Sequence, residues 1–189
     1  MEPHIHTILA KLDKPVVMIG LMGVGKTKLG GLLAKSLGIP FVDSDQEIEK
    51  SAGSTVAAIF EDQGEPVFRE MERKVLARLL SEELKIVATG GGAVMNEMTA
   101  DLIWNSAISV WLKADLDVLV ERTGRNGKRP LLKNGNPRDI LQGLMDKRYP
   151  VYENADIVIE STDQEVEKTL AVLLRTLADH LEKTEQSPS

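Results

Sequence analysis

The chain has 189 residues, of which 42% are hydrophobic and 28% charged, and this composition fits one compact domain with a normal apolar core. It contains no cysteine, which excludes a disulfide framework, thiol catalysis and a thiolate zinc site. The net charge of −6 argues against nucleic-acid binding, and no apolar run reaches the ~18 residues of a membrane helix. The first residues, MEPHIHT, lack the order of a signal peptide, so we expect a cytoplasmic protein.

Short apolar runs alternate with longer helical patterns, which predicts repeated βα units and a parallel sheet. The predicted strands cover residues 16–19, 39–42, 86–88, 108–112 and 156–159. The predicted helices cover 26–37, 46–51, 56–62, 66–83, a segment ending near 124, 137–147 and 164–181. Five leucines at helical spacing on the last helix indicate a face that packs on the sheet. We predict one domain over 15–181, between an N-terminal extension (1–14) and a C-terminal tail (182–189) without assigned chemistry.

A phosphate-binding pattern lies between the first predicted strand and the first predicted helix. Residues 20–27, GLMGVGKT, match G-x-x-x-x-G-K-[ST] at every specified position. Glycines let successive backbone N–H groups point at phosphate oxygens, and the helix adds the positive end of its dipole. Lys26 can reach the β- and γ-phosphates, and the Thr27 hydroxyl can ligate Mg²⁺. The pattern indicates a nucleoside triphosphate and magnesium, but leaves a kinase, a switch GTPase and a motor open.

Motifs further along favour a kinase of small molecules. The chain has no N-K-x-D motif, and the third predicted strand ends in TGGG (89–92) where a motor ATPase would carry an acidic pair. Asp43 and Asp45 close the second predicted strand, and residues two apart in a strand share a face. Ligands collect at the carboxyl ends of parallel strands, so one carboxylate could hold magnesium through water and the other accept a hydroxyl proton. The alternative is that Asp45 only caps a helix.

Three other groups can contribute to such a site. Arg69 and Glu72 lie three residues apart on a predicted helix and can pair on one face. The three glycines at 90–92 permit close approach of the backbone to a ligand. The basic segment 122–132 reads as a loop whose arginines can stabilise charge on a transferring phosphoryl group. Each signal alone also fits an ordinary surface pair, turn or solvated loop.

Taken in order, these motifs resemble the shikimate kinase family over about residues 15–174. The resemblance is carried by GLMGVGKT (20–27), FVDSD (41–45), PVFREME (66–72), TGGG (89–92), RPLL (129–132) and RYPVYENAD (148–156). It implies a three-layer P-loop kinase fold, with a five-stranded parallel sheet in the order 2-3-1-4-5 flanked by helices. It also implies an acceptor-binding segment at about 43–70 and a lid at about 123–134. One departure is Lys28, where the family is expected to have a small, often hydroxylated residue.

The resemblance also implies residue roles. Asp45 would bind the hydroxyls of shikimate and assist deprotonation of the attacking one. Arg69, oriented by Glu72, would grip the acceptor carboxylate together with Arg148, a task suited to planar bidentate donors. The other implied contacts are Gly90, Gly91 and Gly92 to the acceptor; Thr27 and, through water, Asp43 to magnesium; and Gly23, Val24, Gly25, Lys26, Thr27, Lys28, Arg122, Arg129 and Gln164 to ATP. Lys26, Asp45 and Arg129 would be the catalytic residues.

The resemblance therefore implies an ATP-dependent transfer to the shikimate 3-hydroxyl, in the biosynthesis of chorismate and the aromatic amino acids. We expect magnesium as cofactor, no nucleic-acid or membrane partner, and a monomer. Gluconate and nucleoside-monophosphate kinases share the loop and the lid, and gluconate also carries a carboxylate. A nucleotide-binding regulator without catalysis is the alternative outside enzymes.

Overall fold

The computed structural model describes residues 2–126, 135–162 and 165–185. Five strands form one parallel sheet in the order β2-β3-β1-β4-β5, which confirms the predicted architecture. The strands are β1 Val16–Ile19, β2 Phe41–Asp43, β3 Ile86–Ala88, β4 Ile108–Lys113 and β5 Ile157–Glu160. Every residue of β1 and β3 is buried, because these strands lie inside the sheet and are covered on both faces. The sequences of β1 and β3 are consequently continuous apolar runs.

Helices flank the sheet and follow its strands. In the described part of the chain they are α1 Glu2–Lys11, α2 Lys26–Leu37, α3 Ser44–Ala52, α4 Val56–Ser81, α5 Glu97–Ser106, α6 Leu116–Asn126, α7 Pro137–Tyr152 and α8 Val166–Glu185. A short 3₁₀ turn, Ala93–Met95, follows the glycines after β3. None of these described helices has the length and apolarity needed to span a membrane.

Some helix bounds differ from the prediction. The predicted break between the helices 56–62 and 66–83 is present: α4 consists of two helical parts joined at a kink, where Gly64 has a non-helical backbone (φ 81°, ψ 168°) immediately before Glu65 and Pro66. Proline lacks an amide N–H and collides with the preceding turn, so a break at this point costs little. Helix α7 continues past 147 and through Pro150 to Tyr152, whose side chain is fully buried. Helix α5 had no counterpart in the prediction.

The N-terminal segment contributes to the packed structure. The sequence predicted an extension over 1–14, whereas Glu2–Lys11 form α1, which packs against α8. Ile8 and Leu12 on this side are buried. The predicted apolar face of the last helix is also buried, at Leu170, Leu173, Leu174, Leu177 and Leu181. Helix α8 contacts both β5 and α1, so its leucines serve the core as expected.

Candidate active site

The turn from β1 into α2 forms a cradle of backbone groups. Gly23 has a φ of +82°, and a Cβ at this position would lie 2.8 Å from Cγ2 of Thr123, so the turn requires glycine for both reasons. Helix α2 begins directly after Gly25, and its N-terminus carries the positive end of the helix dipole. The Lys26 ammonium donates to the carbonyls of Gly20 (2.8 Å) and Leu21 (3.0 Å) and therefore lies against the loop. This arrangement suits a polyphosphate.

A cavity of about 500 Å³ opens beside this loop. The structure brings five of the predicted ATP residues to its wall, namely Gly23, Val24, Gly25, Lys28 and Arg122. The guanidinium of Arg122 donates to the Val24 carbonyl (3.3 Å) and the Ser161 hydroxyl (2.8 Å), and this fastens α6 to the loop and to the end of β5. Arg129 and Gln164, also predicted here, lie outside the described residues.

Asp43 connects the phosphate-binding loop to helix α3. Its Oδ2 accepts the hydroxyl of Thr27 at 3.0 Å, and its Oδ1 accepts the backbone N–H of Asp45 at 3.1 Å. Asp43 is the last residue of β2 and the N-cap of α3, and Asp45 is in the first turn of α3. The prediction that both carboxylates share a strand face is therefore wrong, as is the alternative that Asp45 is the cap. An aspartate reaches the N–H two residues ahead, so the strand passes directly into a helix.

Arg69 and Glu72 form a buried pair on α4. Glu72 has no exposed surface, and its Oε2 accepts from the Arg69 guanidinium at 2.7 Å. Glu65, one turn earlier, accepts from the same guanidinium at 3.0 Å. The kink at Gly64 does not separate Glu65 from Arg69. Two carboxylates therefore hold Arg69 in place, and the pair is far more enclosed than a typical surface pair.

The glycines after β3 allow charged side chains to approach the backbone closely. A Cβ at Gly90 would lie 2.9 Å from Oδ1 of Asp45, and one at Gly92 would lie 2.5 Å from NH2 of Arg69. The Arg148 guanidinium, from α7, donates to the Gly91 carbonyl at 2.9 Å. Side chains at 90 and 92 would displace Asp45 and Arg69, which explains the glycines at these two positions.

These groups line a second cavity, of about 250 Å³. Asp45, Arg69, Glu72, Arg148 and the glycines at 90–92 all contribute to its wall, so the structure brings together the residues that the resemblance assigned to an acceptor site. The prediction did not include the apolar wall, which consists of Met22, Val56, Phe60 and Phe68. Phe60 and Phe68 pack with ring centroids 4.5 Å apart. Val56, Phe60 and Phe68 lie on α4 and look like core residues in a sequence, and Met22 occupies an unspecified position of the phosphate-binding pattern, so no local signal distinguished these four.

Burial changes the acid–base behaviour of both carboxylates in this cavity. Burial, and then the negative charge of Asp43, raises the pKa of Asp45 above its ordinary value. Burial raises the pKa of Glu72 to about 7, against the opposing effect of Arg69. Asp45 Oδ1 and Glu72 Oε1 are buried and have no hydrogen-bond partner among the described residues. Two buried carboxyl oxygens without a partner among the described residues therefore lie beside two guanidinium groups.

The fold and the two cavities define a P-loop kinase. The phosphate-binding pattern lies at the carboxyl end of β1, and the second cavity beside it is lined by carboxylates and arginines near the carboxyl ends of the neighbouring strands.

Comparisons with known proteins give the family. A family model described as shikimate kinase matches residues 22–178. The shikimate kinase of Brucella canis is 49% identical over 177 residues, covering 94% of this chain and 88% of the relative. The solved shikimate kinase from Acinetobacter baumannii, in complex with shikimate, is 34% identical with a TM-score of 0.85, covering 92% of this chain and 97% of that chain. The chain belongs to the shikimate kinase family.

A more distant match marks the limit of what the fold alone specifies. A gluconokinase from Sinorhizobium meliloti 1021 is 17% identical with a TM-score of 0.60, covering 92% of this chain and 97% of that chain. This identity level shows a common fold only, so the alternative acceptor must be judged from the site.

Proposed function

We propose that this protein transfers the γ-phosphoryl group of ATP to the 3-hydroxyl of shikimate, giving shikimate 3-phosphate and ADP. The observation that carries the proposal is the acceptor cavity, in which Asp45, Arg69 and Arg148 meet beside the phosphate-binding loop. Family membership and the neighbouring structure with bound shikimate support the same acceptor. Arg69 and Arg148 can bind the carboxylate of an acidic acceptor, and the Asp45 carboxylate can bind its hydroxyls.

The acceptor is held from two sides in this proposal. Arg69 and Arg148 donate to the shikimate carboxylate, and backbone groups of 90–92 contact the ring substituents. Glu72 and Glu65 hold the Arg69 guanidinium, which lowers the entropy lost when the acceptor binds. The cavity has room for one small ring and apolar walls to exclude water.

Asp45 orients the attacking hydroxyl and accepts its proton. A bond forms between the 3-oxygen and the γ-phosphorus, the bond from the γ-phosphorus to the β,γ-bridging oxygen breaks, and ADP leaves with that oxygen. Burial raises the proton affinity of Asp45, which makes it a better base once it is ionised. Lys26 stabilises negative charge on the phosphoryl oxygens, and we assign the same role to Arg129.

ATP occupies the larger cavity in this proposal. Its phosphates lie along Gly23–Gly25 and the start of α2, with Lys26, Thr27 and Lys28 nearby. Arg122 flanks the base, and Gln164 is proposed to contact it. The hydrogen bonds from Arg122 to Val24 and Ser161 hold the side of the cavity that would bind the adenine base against the phosphate-binding loop.

Magnesium is the cofactor that the donor set fits. The Thr27 hydroxyl and the Asp43 carboxylate are hard oxygen donors already in contact with each other, at 3.0 Å. Thr27 would hold the ion directly and Asp43 through water. When bound, Mg²⁺ neutralises charge on the phosphates.

We place this activity in the cytoplasm, where ATP is available, as a step of chorismate and aromatic amino acid biosynthesis carried out by a monomer. Gluconate is the second acceptor to test, because its carboxylate could also bind Arg69 and Arg148 and a gluconokinase shares the fold. A nucleotide-binding regulator would bind ATP without acceptor-dependent turnover.

The test is ADP release with Mg²⁺ and ATP, comparing shikimate, gluconate and nucleoside monophosphates at equal concentrations. We expect release with shikimate alone and one ADP per shikimate 3-phosphate. Release with another acceptor would overturn the acceptor assignment but leave the kinase assignment. ATP binding without release for any acceptor would favour the regulator.

A further inference from the structure

Two side chains from α7 converge on one backbone oxygen of the acceptor cavity. The Gly91 carbonyl accepts from the Arg148 guanidinium at 2.9 Å and also from the hydroxyl of Tyr152. Arg148 and Gly91 line the cavity, whereas Tyr152 lies behind it. Tyr152 therefore contacts the acceptor site without belonging to its wall.

The position of the Tyr152 hydroxyl is strongly constrained. The side chain has no exposed surface, and its ring packs against Trp111 of β4 and Tyr149 of α7, with centroids 5.8 Å and 6.1 Å away. Burial raises the pKa of Tyr152 to about 12, so the phenol keeps its proton and remains a donor. A rigid ring of this kind can hold a backbone group in one orientation.

Glycine peptides need such a restraint more than other peptides do. The carbonyls of Gly90 and Gly92 accept the backbone N–H groups of Ala93 (3.2 Å) and Met95 (3.0 Å), whereas the Gly91 carbonyl accepts from side chains. Without side chains of their own, Gly91 and Gly92 resist rotation of the peptide between them only weakly. In a trans peptide the N–H points opposite to the C=O of the preceding residue, and the described chain has no cis peptide. A bond that holds the Gly91 carbonyl therefore also sets the direction of the Gly92 N–H.

We propose that Tyr152 is a positioning residue of the acceptor site, whose hydroxyl holds the Gly91 carbonyl and thereby orients both the Gly91–Gly92 peptide and the Arg148 guanidinium. This inference rests on the proposed function. Without the hydroxyl, Arg148 is the remaining side-chain donor to that carbonyl among the described residues. Arg148 would then have to hold the loop and bind the acceptor carboxylate with the same group.

The chain offers a matched control. Tyr149 lies on the same helix and packs on the same Trp111, and its hydroxyl donates to the Ala114 carbonyl at 2.7 Å, away from the glycines. Tyr149→Phe and Tyr152→Phe therefore each remove one hydroxyl bonded to a backbone carbonyl. Only Tyr152→Phe removes a bond to the acceptor site.

Steady-state kinetics of the full chain test the proposal. For Tyr152→Phe we expect the KM for shikimate to rise about five- to tenfold, as for one lost hydrogen bond, with the KM for ATP within twofold of wild type. Tyr149→Phe should leave both KM values within twofold. Equal effects of the two variants on the shikimate KM, or no rise for Tyr152→Phe, would overturn the proposal. A wild-type enzyme inactive on shikimate would instead contradict the proposed function.

A second measurement avoids dependence on the folding of Tyr152→Phe. The chain has two tyrosines, so Tyr149→Phe leaves Tyr152 alone and 3-fluorotyrosine then labels one site. We expect its fluorine resonance to shift on addition of shikimate, with saturation near the KM, because Arg148 exchanges contacts at the carbonyl that Tyr152 also binds. An unchanged resonance at saturating shikimate, in an enzyme that turns it over, would contradict the role of Tyr152.

Discussion

The Thr27 hydroxyl donates to the Asp43 carboxylate at 3.0 Å, and this bond joins the phosphate-binding loop to the segment that carries the acceptor site. The other oxygen of Asp43 caps α3 through the N–H of Asp45. One carboxylate thus sets the spacing between the proposed magnesium ligand and the proposed base. A substitution at Asp43 should therefore weaken the binding of the metal and the nucleotide more than the binding of the acceptor.

Asp43→Asn keeps a side-chain oxygen that can cap α3 but removes the negative charge beside Thr27. We expect the free Mg²⁺ concentration for half-maximal ADP release to rise about tenfold, because a charged outer contact of the ion is lost. The measurement is a Mg²⁺ titration at saturating ATP and shikimate. Asp101→Asn, at an exposed position on α5, is the control, and an equal response of both variants would refute the assignment.

Asp45→Asn preserves the size of the side chain and removes its ability to take a proton. We expect kcat to fall at least about a hundredfold, the usual range for loss of a positioned base, while ATP binds with unchanged affinity. Turnover and equilibrium ATP binding are measured on the same preparation. Near-normal turnover would mean that another group accepts the proton.

The pH profile of the wild type also reports on Asp45. Asp45 accepts a proton only when ionised, and its pKa is raised above its ordinary value of 3.8 by burial and by Asp43. Activity should therefore be lost as pH falls through that raised pKa. We expect kcat/KM for shikimate to fall, on the acid side, at a pH above the range in which an exposed aspartate titrates. A limb near pH 4 would contradict the effect of burial.

The buried Glu72 should make stability depend on pH. Its pKa is about 7 in the folded protein against an ordinary value of 4.5, so the folded state holds this proton more tightly than the unfolded chain. The stabilisation is complete below pH 4.5 and is lost as pH rises to about 7 and beyond. From pH 5 to pH 8, the unfolding free energy of wild type relative to Glu72→Gln should fall by on the order of 2 kcal/mol.

Urea unfolding at the two pH values measures this difference. Glu70→Gln is the control on the same helix, because Glu70 is exposed and its neighbour Arg73 lowers its pKa. The unfolding free energy of wild type relative to Glu70→Gln should depend on pH only weakly, and with the opposite sign. A constant difference between wild type and Glu72→Gln across this pH range would show that Glu72 is ionised throughout.

Lys28 lines the nucleotide cavity one residue after Thr27. Lys28→Ala should raise the KM for ATP about three- to tenfold, since a cation near the phosphates is removed, and should leave the KM for shikimate unchanged. Steady-state kinetics at two salt concentrations check this, because screening should reduce the difference. Lys35→Ala, exposed near the end of the same helix, should alter neither KM. An unchanged ATP KM for Lys28→Ala would mean that its ammonium stays in solvent.

The phosphate-binding loop could be predicted from the residues alone, because its signal at 20–27 is contiguous. The carboxylates, arginines and glycines of the second cavity were implied by the family resemblance, since each of their signals alone also fits an ordinary surface pair, turn or loop. Asp43 and Asp45 were placed at the right strand end, but their backbone geometry was not, because a cap depends on one side-chain bond. The apolar walls at Phe60 and Phe68 carried no signal that distinguishes a pocket from a core.

The residue pattern predicted the parallel architecture and the phosphate-binding loop, because buried strands and glycine-rich turns leave local patterns. The charged groups of the acceptor site were implied by the family resemblance, and which distant groups meet depends on tertiary packing. Arg148 and Tyr152 reach Gly91 across separations of 57 and 61 residues, and such contacts depend on strand order and helix packing. The same packing removes water from Glu72, so its raised pKa arises from the assembled core and not from its neighbours in the chain.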